Sequence, residues 1–133
     1  MSDAPPLAPS ASYAEVIGAT LVVTREERGV LQWAVAEAVG VSGSTWSRIE
    51  RGKSALAVDQ LARAAAALGV TPGAVASRAD AAARALRGRG VAVVNVRESA
   101  EEAMGNGRVP IDDATVLEAA RSAQAEAADG GGS

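Results

Sequence analysis

Four glycines, Gly29, Gly40, Gly52 and Gly69, cut the first half of the chain into short segments whose apolar residues recur at helical spacing. Glycine adopts the left-handed backbone that closes a helix, so each reads as a C-terminal stop. Helices this short are marginal alone and have to pack on one another. The first starts at Ser12, where Ser12 and Glu15 fit a capping box, and turns Val16, Ile17, Leu21 and Val22 inward. A second runs from about Gln32 to Val39, with Val35, Ala36 and Val39 inward. Ser42 caps a third that ends near Arg51, with Thr45, Trp46 and Ile49 inward. A fourth covers about 58–68 on Leu61, Ala65 and Leu68, and Thr71-Pro72 opens a fifth, alanine-rich helix to about Arg87.

Phenylalanine is absent and aromatic residues make up 2% of the chain, so Ala, Val and Leu have to fill the interior between closely spaced helices. Trp46 is then the expected central packing residue. With neither Cys nor His in the sequence, disulfides, thiol nucleophiles, the usual general base near neutral pH and the commonest zinc ligand are all excluded. The carboxylates Glu98, Glu101, Glu102, Asp112 and Asp113 fall largely at helix starts, where acids are favourable anyway, so neither a metal nor another cofactor is expected. A non-enzymatic function is the expectation. The amino-terminal stretch lacks the basic start and apolar run of a signal peptide, and no membrane-spanning segment follows, which points to a cytoplasmic, nucleoid-associated protein without membrane partners.

The formal net charge is −3, but it is unevenly distributed. Residues 15–78 hold seven basic and six acidic side chains, whereas residues 79–133 hold six basic and nine acidic ones. A nearly neutral helical domain gains phosphate affinity only where its positive groups share a face.

Residues 1–12 are rich in Pro, Ala and Ser and are expected to form a disordered arm ahead of a domain at 13–87. Residues 88–128 form an extension of a different character, and 129–133 a disordered tail. Within the extension, the β-branched run from Val91 to Val96 reads as a strand with no second strand candidate after it. An unpaired strand needs a partner, and the same strand of a second subunit would satisfy both edges, which makes Val91, Val93, Val94 and Val96 candidate dimerisation residues. Ser99 to Met104 reads as a helical turn, Gly105-Asn106-Gly107 as a loop, and Asp112 or Asp113 as the cap of a last helix to about Ala127.

The second and third helices, joined by a turn at Gly40, match a helix-turn-helix unit, whose second helix enters the major groove. The residues Arg25-Glu26-Glu27-Arg28-Gly29, Gln32, Val35-Ala36, Gly40-Val41-Ser42, Trp46 through Lys53, and Leu68-Gly69-Val70-Thr71-Pro72 sharpen that match. Across about residues 15–77 the chain resembles the Xre-type family of phage-repressor-like regulators. The resemblance implies a mainly α, five-helix repressor-like domain that binds a double-stranded DNA operator, commonly as a homodimeric repressor.

By position, the resemblance places Gly43, Ser44, Ser47 and Arg48 on the base-reading side of the recognition helix. Arg48 is the strongest candidate, since a guanidinium can fork onto guanine O6 and N7; the alternative is a phosphate contact or a solvated side chain. Gln32, Ser42, Arg51 and Lys53 are the implied phosphate contacts. Arg25 and Glu50 are implied to form a structural salt bridge between the first helix and the end of the third. The sequence departs from the family at Leu31 and Ala57, where a Ser or Thr cap is common, and at Trp46, where a smaller aliphatic residue is common. Trp33 lies on the outer side of the second helix, against DNA, a partner subunit or the first helix. A rival reading is a protein-interaction module, an antitoxin or adaptor acting through the extension, which can also repress its own promoter.

Overall fold

The computed structural model describes residues 6–131, with the side chains of the last helix described through Ala123. Residues 1–5 and 132–133 of the expected arm and tail lie outside the described residues. The helices of the first half follow their local signals: α1 (Tyr13–Glu27), α2 (Gln32–Val39), α3 (Gly43–Glu50), α4 (Val58–Leu68) and α5 (Pro72–Gly88). At the start of α1 the Ser12 hydroxyl accepts from the Glu15 N–H at 3.2 Å while the Glu15 carboxylate accepts from the Ser12 N–H at 3.1 Å. The Ser42 and Thr71 hydroxyls cap α3 and α5 by accepting from the Thr45 and Ala74 N–H groups, without the return bond. Leu31 gives α2 no side-chain cap, and at α4 the Gln60 side chain accepts from the Ala57 N–H at 2.8 Å, satisfying one free donor without a hydroxyl.

Two cores share α1 and α5. One side of the pair packs on α2, α3 and α4 around Leu21, Val35, Trp46, Ile49, Ala65 and Val75. Trp46 is its largest fully buried side chain, as the aromatic-poor composition requires. Thr45, expected inward, is half-buried instead, and the third inward position of α3 is taken by Glu50. The other side packs on the last helix, α7 (Asp113–Gly131), through Val16, Ala82, Leu86, Val116 and Ala119. The extension therefore shares an interior with the helical domain. Its helix is capped by Asp112, which accepts from the Thr115 N–H at 2.8 Å, and it continues to Gly131 where a tail was expected from 129. Ala119, Ala120 and Ala123 on its buried side let the helices approach closely.

The expected disordered arm is corrected at its end: Ala8–Ser12 is a strand, β1. It is the centre of a parallel three-stranded sheet, ordered β2-β1-β3, with β2 (Ala92–Val94) and β3 (Arg108–Pro110) on its flanks. The expected unpaired strand is corrected with it. Ser10, Ala11 and Ser12 pair with Ala92, Val93 and Val94, so β2 finds its partner inside the chain. Small residues make this possible, because Ser10, Ala11 and Ser12 are buried where larger side chains would hold the strand off the helices. Pro9 is tolerated by register. The Ala8 N–H and the Ser10 carbonyl both bond toward β3, so the Pro9 nitrogen faces the other side, where β2 pairing has not yet begun. A short helix, α6 (Ala100–Gly105), capped by Ser99, connects β2 to β3.

Candidate nucleic-acid interface

The turn between α2 and α3 consists of Gly40, Val41 and Ser42. Gly40 has φ +87° and its N–H closes α2 on the Ala36 carbonyl at 2.9 Å, while Val41 tucks against the Trp46 core. The reversal is thus set by one left-handed residue and one apolar anchor. Ser42 then begins α3, its hydroxyl accepting from the Thr45 N–H at 3.1 Å.

The inner face of α3 is locked. Glu50, 3% exposed at its side chain, accepts from Arg25 Nε at 2.8 Å and Nη2 at 3.2 Å, from Gln32 Nε2 at 2.6 Å and from the Trp46 indole N–H at 2.9 Å. One carboxylate therefore joins the end of α1, the start of α2 and the core side of α3. No side-chain nitrogen or oxygen that is buried among the described residues lacks a partner, so this polar centre is satisfied by the protein's own groups. Gly18 sets the α1–α3 approach, since a Cβ there would lie 2.4 Å from the Glu50 carbonyl oxygen. At the end of α3, Gly52 needs φ +69° and lies so close to α1 that a Cβ would meet Glu15 Cα at 2.7 Å.

The outer face is open. Gly43, Ser44 and Arg48 are exposed, and Ser42 is exposed beside them. Arg48 Nε donates to Ser54 Oγ at 3.1 Å, which holds the guanidinium while leaving the two Nη groups directed elsewhere. Ser47 is half-buried, lining with Arg51 a cleft formed between α1, α3 and the first turns of α7. Arg51 and Lys53 are exposed. Among the described residues no carboxylate lies within ion-pair distance of Arg48, Arg51 or Lys53, whereas Arg25, Arg78, Arg89, Arg108 and Arg121 each have one. Three of the domain's cations without an ion pair thus gather around the end of α3, while Arg28 and Arg63, also without one among the described residues, lie at the end of α1 and on α4.

Two expectations change. The Gln32 side chain, expected on a phosphate, is engaged by Glu50, because the fold brings the start of α2 against the buried carboxylate. Val91 is in the core, Val93 packs on it, Val94 is half-buried in the sheet, and only Val96, 75% exposed, is open to a partner. Trp33 is 63% exposed on the outside of α2, which resolves its placement away from α1. Sequence reasoning missed that Glu50 also binds Gln32 and Trp46, and it missed Gly18, although a glycine amid the apolar face of a helix is a signal of close backbone approach.

A family model described as a helix-turn-helix domain matches residues 16–79. Two crystal structures of the clp gene regulator ClgR from Corynebacterium glutamicum are similar to this chain. One is 30% identical, with 61% of this chain and 86% of that chain covered and a TM-score of 0.58. The other is 34% identical over 51% of this chain and 88% of that chain, with a TM-score of 0.49. No curated protein sequence matches.

Proposed function

The chain belongs to the helix-turn-helix DNA-binding transcriptional regulators, and from that premise we propose that it is an Xre-type repressor that reads a specific double-stranded operator through α3. The observation that carries the reading is the two-sidedness of α3: Trp46, Ile49 and Glu50 fix its inner face, while Gly43, Ser44 and Arg48 are exposed beside Arg51 and Lys53, cations without an ion pair among the described residues. Arg48 reads guanine with its two Nη groups, a bidentate contact that discriminates by about 1–3 kcal/mol. Ser44 and Ser47 donate to base edges with less selectivity, and Gly43 admits the backbone into the groove. Ser42, Arg51 and Lys53 hold phosphates. Gln32 contributes its backbone N–H at the start of α2, its side chain being held by Glu50.

One such face covers only a few base pairs, and a single module buries about 600–1,000 Å² on DNA, so specific affinity calls for two copies. The operator of a dimer is an inverted repeat with half-sites about 34 Å apart. The dimer uses Val96 and the outer edge of β2, since the inner edge is occupied by β1. No helix among the described residues is long and apolar enough to cross a membrane; a cytoplasmic, nucleoid-associated location follows from the proposed function. Footprinting on a selected site, with the stoichiometry measured by sedimentation, tests this. Two protected half-sites per bound dimer are expected, and a monomer protecting a single half-site would overturn the dimeric part.

A further inference from the structure

Operator-facing cations need not all come from the helix-turn-helix unit. The segment joining α3 to α4 reads Arg51-Gly52-Lys53-Ser54-Ala55-Leu56-Ala57 and supplies two cations, Arg51 and Lys53. A third reaches the same place from the extension. Arg97, on the loop after β2, is exposed and donates from Nη1 to the Lys53 carbonyl at 2.6 Å. That bond uses one of the five N–H donors of a guanidinium. The neighbouring acid does not neutralise it. Glu98 is held by Arg108, whose Nη2 lies 2.7 Å from both carboxylate oxygens, and by Asn106 Nδ2 at 2.7 Å. Among the described residues Arg97 has no carboxylate within ion-pair distance, which it shares with Arg48, Arg51 and Lys53 and not with Arg89, Arg108 or Arg121 of the extension.

We propose that Arg97 binds a DNA backbone phosphate next to those held by Arg51 and Lys53, so that the C-terminal extension is part of the DNA interface. The inference rests on the DNA-binding reading above. The Lys53 carbonyl fixes one edge of the guanidinium and leaves its remaining donors to a phosphate oxygen, the ligand whose geometry a guanidinium fork fits. The contact is independent of base sequence. It also ties operator binding to the placement of β2 and α6, because the loop carrying Arg97 lies between them.

The test uses the full chain and a labelled duplex of mixed sequence, titrated between about 50 and 200 mM salt. Each lost phosphate contact, one per bound protomer, lowers the slope of log affinity against log salt by about 0.9, which corresponds to about eightfold weaker binding per protomer at about 0.1 M and a vanishing difference on extrapolation to 1 M. Arg97→Gln is expected to show that change with an unaltered thermal midpoint, and Arg97→Lys to keep the wild-type slope. Arg51→Gln serves as the reference for a phosphate contact within the helix-turn-helix unit. If Arg97→Gln keeps the wild-type slope while Arg51→Gln loses part of it, the inference is overturned and the DNA-binding reading stands. If Arg97→Gln and Arg97→Lys both lower the midpoint and leave the slope intact, Arg97 is a tether between the two halves of the chain and the inference is likewise overturned. If the wild type shows no salt-dependent binding, both fall together.

Discussion

Replacing Glu50 with alanine tests whether the polar centre beneath the recognition helix holds the domain together. The side chain is 3% exposed, its partner Arg25 16% exposed, and four donor contacts converge on its two oxygens. Removing it leaves the Arg25 guanidinium uncompensated and the buried Trp46 N–H without an acceptor. Breaking a buried pair from one side costs about 3–5 kcal/mol, against about 0–1 kcal/mol for an exposed pair. At an unfolding entropy of about 2.1 cal/mol/K per residue, the midpoint should fall by about 11–18 °C. Calorimetry on the wild type, Glu50→Ala, Arg25→Ala and the double variant is the assay. The two single costs should sum to about 1–3 kcal/mol more than the double, because the second truncation removes a charge already stranded by the first. A fall of less than about 4 °C in Glu50→Ala would show that the pair behaves as a surface contact and refute the reasoning.

Gly18→Ala places a Cβ 2.4 Å from the Glu50 carbonyl and 2.7 Å from that of Ile49, both backbone atoms that cannot turn aside. Urea unfolding should register a loss at or above the upper end of the about 1–3 kcal/mol usual for overpacking, and a loss under about 1 kcal/mol would mean that α1 and α3 separate easily. Tyr13, the sole tyrosine, donates to the Asp80 carboxylate, and burial together with that hydrogen bond and charge pushes its phenol up to about 12. Since an unfolded phenol titrates near about 10, the stability this group contributes is present in full below about pH 10 and is lost as pH rises through about 12. Phenolate absorbance should therefore have its midpoint near 12 in the folded wild type and a lower one in Asp80→Asn, which removes the hydrogen bond and the charge but not the burial; a wild-type midpoint already near about 10 would contradict the Tyr13–Asp80 contact.

The five helices of the first half were legible because their signals are local. A hydroxyl one residue before α1, α3 and α5, a glycine one or two residues after each helix and apolar residues at helical spacing all sit within a few positions of the boundary they set. The pairing of Arg25 with Glu50 came through the family resemblance, and in the structure the two side chains lie 2.8 Å apart. β1 was not legible. Pro9, Ser10, Ala11 and Ser12 carry no β-branched signal, and what makes them a strand is the presence of β2 and β3, which come from the far half of the chain. The same missing partner made β2 look unpaired on both edges, when one edge is taken by β1. Gln32 was misread for a related reason: at the start of a helix it looks free, and only the fold brings Glu50 beneath it. Arg97 gave no signal at all, since its contact is to a backbone carbonyl that any residue at position 53 would present.

The central claim is that the exposed face of α3 reads base sequence and that Arg48 reads guanine. Selection from a random duplex library at about 150 mM salt, where sequence-independent phosphate binding is suppressed, compares the wild type with Arg48→Ala. The account predicts an enriched motif in the wild type that persists in the variant except for the loss of a guanine preference, at symmetry-related positions if the site is an inverted repeat. An identical motif in both would contradict the role of Arg48, and no enrichment from the wild type would contradict the claim that this helix reads DNA.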